Sequence, residues 1–143
     1  MKLLVSACLL GLPCRYDGAS KGHPLLPDLL ERHTLVPVCP EQLGGLPTPR
    51  PPAERRGERV VTQCGTDVTV QYRRGAQEAL TLCRMFHCDA ALLKERSPSC
   101  GLGEIYDGSF SRHLVPGNGV TAALLRENGI SVFGESQIEE LLK

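Results

Sequence analysis

Apolar residues in this chain fall in short runs, separated by polar loops and by segments of helical spacing. Lys2 to Ala7, centred on Leu3-Leu4-Val5, has the continuous apolar character of a buried strand. Thr34 to Val38 is a second such run, and it stops at Cys39-Pro40, where proline ends ladder pairing. Ala90 to Lys94 and Ile130 to Phe133 are a third and a fourth. Between them the period changes. Leu25, Leu26, Leu29 and Leu30 share one helical face, which predicts a helix that begins at Pro24, tolerates Pro27 and ends near His33. Tyr72, Ala76, Ala79, Leu80, Cys83 and Phe86 predict a helix from Val68 to His87, capped by Asp67 and weakened by Gly75. Asn118 is the expected cap of a helix through Ala122, Ala123, Leu124 and Leu125 that Gly129 closes. Ser136 and Glu139 have capping-box spacing for a last helix with Ile138, Leu141 and Leu142.

The remaining segments are expected as loops. Leu9 to Gly22, Gln42 to Glu58 and Gly103 to Gly117 are rich in glycine, proline and polar residues, and loops of that length usually carry function. A short strand at Val60 to Thr62, a hairpin between Arg59 and Gln71, and a small hairpin in the third loop are the regular elements they can hold. Strands alternating with helices predict an α/β fold: one domain over residues 1–143, a three-layer sandwich with a mainly parallel, Rossmann-like sheet.

Composition narrows the function classes. With 41% hydrophobic residues in 143, the chain has enough for a packed core and too many for disorder. Lys plus Arg number 16 and Asp plus Glu 16, so the basic excess of a DNA-binding domain is missing. No apolar run is long enough for a membrane span. The N-terminal run is cut off by Gly11, Pro13, Cys14 and Arg15, too early for a secretory signal, so a cytoplasmic protein is expected. Seven cysteines is a high, odd count. Without a signal peptide that argues against a disulfide framework, and the lack of a C-x-x-C pair removes zinc-ribbon and thioredoxin motifs.

The strand assignments give the cysteines a pattern. Cys8 and Cys39 each directly follow a predicted strand, and Cys100 lies six residues past Lys94. In open parallel sheets ligands bind beyond the carboxyl ends of the strands, so three thiols from neighbouring strands would meet in one crevice. Three thiolates can hold zinc with one open position, hold a [4Fe–4S] cluster with one iron lacking a protein ligand, or act as a redox relay. The absence of histidine near them leans toward a cluster. Glu41 lies two residues after Cys39 and is either a general base or a loop carboxylate paired with Arg50. Ser97 and Ser99 either position a polar substrate or close a turn. Cys14 either backs up or lines the site or, the preferred reading, is a loop thiol without a ligand role; Cys83 reads as core, and Cys64 and Cys88 as space-filling. Arg15, Tyr16 and Asp17 are expected to brace the first loop. Arg50, Arg55, Arg56 and Arg59 read as a solvated face, and the four scattered histidines show no ligand pattern.

Three long motifs then add a resemblance. They are Val5-Ser-Ala-Cys-Leu-Leu-Gly-Leu-Pro-Cys-Arg-Tyr-Asp-Gly18, Pro37-Val-Cys-Pro-Glu-Gln-Leu-Gly-Gly-Leu-Pro-Thr-Pro-Arg-Pro-Pro-Ala-Glu54 and Leu93-Lys-Glu-Arg-Ser-Pro-Ser-Cys-Gly101. With Gly65-Thr-Asp-Val-Thr69 and Gly75-Ala76, they make the chain resemble the thiouracil desulfidase-like family of small bacterial iron–sulfur proteins over nearly its whole length. The resemblance implies a [4Fe–4S] cluster held by Cys8, Cys39 and Cys100, with the fourth iron open to the sulfur of a thiolated nucleobase. It further implies Glu41 and Ser97 as acid/base and positioning residues, with Ser99 as a helper. The implied reaction turns a thiocarbonyl into a carbonyl and releases sulfide without net redox change. The extra domain that some relatives carry is not expected here. The substrate would be a small thiolated pyrimidine or thioamide, with no DNA or membrane partner, and the protein a monomer or homodimer. A sulfur or cluster carrier and a zinc-dependent hydrolase built on the same three cysteines are the alternatives.

Overall fold

A computed structural model describes residues 1–19 and 22–143; Ser20 and Lys21, inside the loop expected between Leu9 and Gly22, lie outside the described residues. In chain order the strands are β1 (Lys2–Ser6), β2 (Thr34–Val38), β3 (Ala53–Arg56), β4 (Arg59–Thr62), β5 (Ala90–Leu93), β6 (Glu104–Tyr106), β7 (Leu114–Pro116) and β8 (Ser131–Gly134). The helices are α1 (Leu26–Arg32), α2 (Pro40–Leu43), α3 (Thr69–Met85), α4 (Val120–Glu127) and α5 (Ile138–Leu141). The four apolar runs form one parallel sheet in the order β2-β1-β5-β8. β3 with β4 and β6 with β7 are two antiparallel hairpins outside it.

Strand alternation distributes the core over both faces of the sheet. Leu4, Ala91 and Leu93 pack with Ala79, Leu80 and Cys83 of α3 and with Ala122 and Leu125 of α4. Leu3, Val5, Ala90 and Leu92 turn the other way, onto Leu26 and Leu29 of α1 and Ile138 and Leu141 of α5. The result is the expected three-layer α/β sandwich. The chain leaves β1 toward β2 on one side and returns to β5 on the other, so the order reverses between β1 and β5. That reversal opens a crevice at the carboxyl ends of these two strands.

Several elements depart from the sequence reading. α1 starts after Pro24, with Pro27 in its first turn, and buries only Leu26 and Leu29; Leu30 is 56% exposed. Seven residues are too few to wrap a wider stripe around the sheet. α3 ends at Met85, so Phe86 follows the capping geometry and is 45% exposed. The segment expected as one loop from Gln42 to Glu58 opens inside α2 and closes in the β3–β4 hairpin. Asn118 does not cap α4; its Oδ1 accepts the N–H of Gly103 at 2.9 Å, and the helix begins after Gly119. Ser136 and Glu139 form no capping box; instead the Gly134 N–H donates to Gln137 Oε1 at 2.9 Å. Asp67 does act at the start of α3, its Oδ1 accepting the Thr69 N–H at 2.9 Å.

Gly75, which weakens α3 as a helix, is required by packing. A Cβ there would lie 1.8 Å from the carbonyl oxygen of Pro40, and a Cβ on Gly44 would lie 2.0 Å from that of Gln71. α2 is thus pressed backbone to backbone against α3, which sets the position of the Cys39–Glu41 corner. Gly75→Ala is expected to lower stability by about 3 kcal/mol, because neither backbone can retreat without moving its helix. Thermal unfolding of the variant against the parent measures this.

Candidate active site

A cavity of about 610 Å³ opens at the β1/β5 crevice. Cys8, Cys14, Cys39 and Cys100 all line it. Each reaches it by a different local device. Cys8 sits in the 3-10 turn Ala7–Leu10 that follows β1. Cys39 is the last extended residue after β2, and Pro40 behind it starts α2. Cys100 lies in the turn after β5, which Ser97 closes: its Oγ accepts the N–H groups of Ser99 at 3.1 Å and Cys100 at 3.0 Å. Carbonyls of the same turn cap α4, with the Val120 and Thr121 N–H groups donating to Pro98 and Ser99.

The thiols are electrostatically constrained. Burial pushes the Cys100 thiol up to about 12, although the Ser6 hydroxyl against it acts in the opposite sense. The hydrogen bond to the Cys14 thiol, aided by burial, raises Cys39 far above the ordinary thiol range. Cys14 is itself raised: its contact with Cys39 lowers it most, but the bond to Cys8 and burial together outweigh that. Cys14 is only 6% exposed and touches two of the three expected ligands, so it lines the site and the preferred reading of a bystander thiol does not hold.

Glu41 faces the same cavity. One of its oxygens, Oε1, accepts both the Tyr72 hydroxyl at 2.6 Å and Arg50 Nε at 3.1 Å. The pairing with Arg50 is therefore real, and it coexists with a place in the site. Burial first, and then the Glu41 charge, raise the Tyr72 hydroxyl, so it remains a donor. The Arg50 side chain is 4% exposed and also donates to Pro47 O, Thr48 Oγ1 and Cys14 O. Of its neighbours in sequence, Arg55 is likewise mostly withdrawn from solvent, whereas Arg56 and Arg59 are exposed, as a solvated face requires. Arg55 holds the carbonyls of Gly57 and Asn118, Arg56 that of Gly108, and Arg59 pairs with Asp67.

Of the six expected site residues, Cys8, Cys39, Cys100, Glu41 and Ser97 line the cavity together. Ser99 does not. It is fully buried, with Oγ 2.8 Å from Thr121 Oγ1, and it braces the turn from behind. Sequence reasoning names Arg50 only as a partner for Glu41, and it passes over Tyr72 and Glu54 as site residues. The polar tip of Tyr72 within an alanine-rich stripe is the signal that could have found it.

The donor set fits an iron–sulfur cage. Three thiols arrive from three adjacent strand ends, no histidine lines the cavity, and basic side chains among its walls suit an anionic group. Among the described residues no three His, Cys, Asp or Glu side chains are grouped to hold a metal ion.

Comparison with known proteins points the same way. A family model described as 2-thiouracil desulfurase matches residues 3–137. The chain is 41% identical to the uncharacterized protein YbbK of Bacillus subtilis (strain 168), over 98% of this chain and 99% of that one. A solved structure described as the [4Fe-4S]-dependent thiouracil desulfidase TudS is 56% identical, covers 98% of this chain and 94% of its own, and superposes with a TM-score of 0.92.

Tyr72→Phe removes one of two donors to a part-buried carboxylate and leaves the ring in place. It is expected to cost about 1.5 kcal/mol in denaturant unfolding with the slope of the transition unchanged.

Proposed function

The chain belongs to the 2-thiouracil desulfurase family, and on that premise we propose that it is a [4Fe–4S]-dependent enzyme that converts a thiolated pyrimidine such as 2-thiouracil to its carbonyl product and hydrogen sulfide. The carrying observation is the meeting of Cys8, Cys39 and Cys100 in one cavity beside a carboxylate held by Tyr72 and Arg50. These three cysteines would hold the cluster. When bound, the cluster supplies a soft, Lewis-acidic iron without a protein ligand, suited to thiocarbonyl sulfur.

The overall change adds water and removes hydrogen sulfide, so no electron donor is needed. What the protein must supply is proton handling and orientation. Glu41 is pinned through Oε1, which leaves Oε2 to take a proton from water in the cavity. Ser97 already accepts two backbone N–H groups, so its own hydroxyl hydrogen is free to orient a polar atom of the substrate. Ser99 holds the turn and does not touch substrate. Cys14 keeps the first loop against Cys39. The wall formed by Glu41, Tyr72 and Arg50 keeps the carboxylate from swinging out to solvent.

A small free substrate suits a cavity of about 610 Å³, and Arg50 and Arg55 are committed to partners within the chain. All seven cysteines are free thiols, which suits the reducing cytoplasm. Residues 1–143 act as one desulfidase-like domain.

Anaerobically purified protein is expected to be brown, with about four irons per chain, and to release sulfide and uracil from 2-thiouracil over many turnovers. A colourless zinc protein, or sulfur uptake that stops after one turnover, overturns the reading. Cys39→Ser is expected to lose the iron. Glu41→Gln is expected to keep iron and colour while kcat falls by about 100-fold or more; full activity in that variant removes Glu41 as the base.

A further inference from the structure

The chain has only three tyrosines and three phenylalanines, yet four of these six rings line the cavity of the thiols: Tyr16, Tyr72, Tyr106 and Phe110. Tyr72 is committed to Glu41. Phe110 is the unusual one, because it comes from a strap between β6 and β7 and has a φ of +58°. Arg112 in the same strap has a φ of +61°. Bulky side chains rarely adopt this left-handed region, and such strain persists only where surrounding contacts impose it.

Those contacts are visible. Glu54 on β3 uses one oxygen, Oε1, to accept the N–H of Gly108 at 3.0 Å and of Phe110 at 3.1 Å. Arg56 Nε donates to Gly108 O at 2.8 Å. Gly108 is pressed so close that a Cβ would lie 2.2 Å from Arg56 Cγ. An acid and a base from one hairpin strand therefore clamp the strap, and the residue they fix is an aromatic ring at the cavity wall.

We propose that Phe110 is a specificity-determining residue that packs on the face of a planar heteroaromatic thione, and that Glu54 is the positioning residue that holds it there. This rests on the desulfidase reading of the same cavity and names how it selects its substrate. A thiocarbonyl held by sulfur alone can rotate about that contact. A ring stacked on the heterocycle fixes its plane, and with it the face of the reacting carbon presented to water near Glu41. Stacking is indifferent to ring substituents and sensitive to planarity, so the site is selective for aromatic thiones over puckered thioamides of equal size.

The test uses the cluster-loaded protein with 2-thiouracil and with 5,6-dihydro-2-thiouracil, which has a thiocarbonyl on a puckered ring. Phe110→Asn keeps a residue that tolerates positive φ and removes the ring. It is expected to raise KM for 2-thiouracil about tenfold, leave kcat within about threefold and barely change KM for the dihydro compound, whereas Phe110→Tyr restores the parent values. Glu54→Ala shifts KM in the same direction and Glu54→Gln less. Equilibrium titration with uracil, which has the ring and no sulfur, is expected to weaken about tenfold in Phe110→Asn. An unchanged uracil affinity and KM in Phe110→Asn, or equal losses on both thiones, overturns the assignment of Phe110. If the parent protein binds uracil but does not turn over 2-thiouracil, the desulfidase reading fails, and the uracil titration still decides whether Phe110 stacks.

Discussion

One buried guanidinium holds the loops around the cavity to each other. Arg50 has five N–H donors, no acceptor and no means of losing its charge. With its side chain almost wholly out of solvent, it must be satisfied by protein, and it is: by the Glu41 carboxylate, by Pro47 O and Thr48 Oγ1, and by Cys14 O. The backbone N–H of Arg50 donates to Tyr16 O at 2.7 Å. These acceptors lie in the first loop, in α2 and in the proline-rich loop, none of which is organised by the sheet. Withdrawing any one of them leaves a buried charge under-satisfied. The three segments therefore assemble as a unit, and the carboxylate beside the thiols is placed by electrostatics more than by apolar contact.

This division explains how much could be read from the sequence. The sheet was legible because burial on both faces leaves an unbroken apolar run: Leu3, Leu4 and Val5 are each fully buried. The ends of such runs are sharp, which is how Cys8, Cys39 and Cys100 come together on paper. The burial of Arg50 and Arg55 was not legible, although the pairing of Arg50 with Glu41 was. Many of their partners are backbone carbonyls, which every residue has and no pattern displays, so a buried arginine and a solvated one look alike in a loop. Cys14 is hidden for a similar reason. Its place depends on how the first loop folds back, and that loop is held by Arg50. Phe86 and Leu30 show the opposite failure, since the helical period predicts a face but says nothing about where a helix stops touching its neighbour.

The strap over the cavity extends the same logic. Phe110 is reached from the hairpin that follows Cys100, and Glu54 from another. Neither hairpin belongs to the central sheet, and both converge on the site through charged groups that bind backbone. Core and site thus rest on different forces. Burial on the two faces of the sheet supplies the stability, and hydrogen bonds from charged side chains to the backbone supply much of the geometry.

Where the two meet, the contact is direct. Gly44 and Gly75 let α2 rest on α3 with no side chain between them, so the Cys39–Glu41 corner inherits the rigidity of the longest helix in the molecule. On its other side that corner meets Arg50, the hub of the polar network. A carboxylate anchored to the scaffold through its backbone and to the loops through its charge cannot follow a loop that drifts. Any loosening of the loops must then break a bond to Arg50 before it moves Glu41. That ordering keeps a carboxylate in register with thiols that come from three different places in the chain.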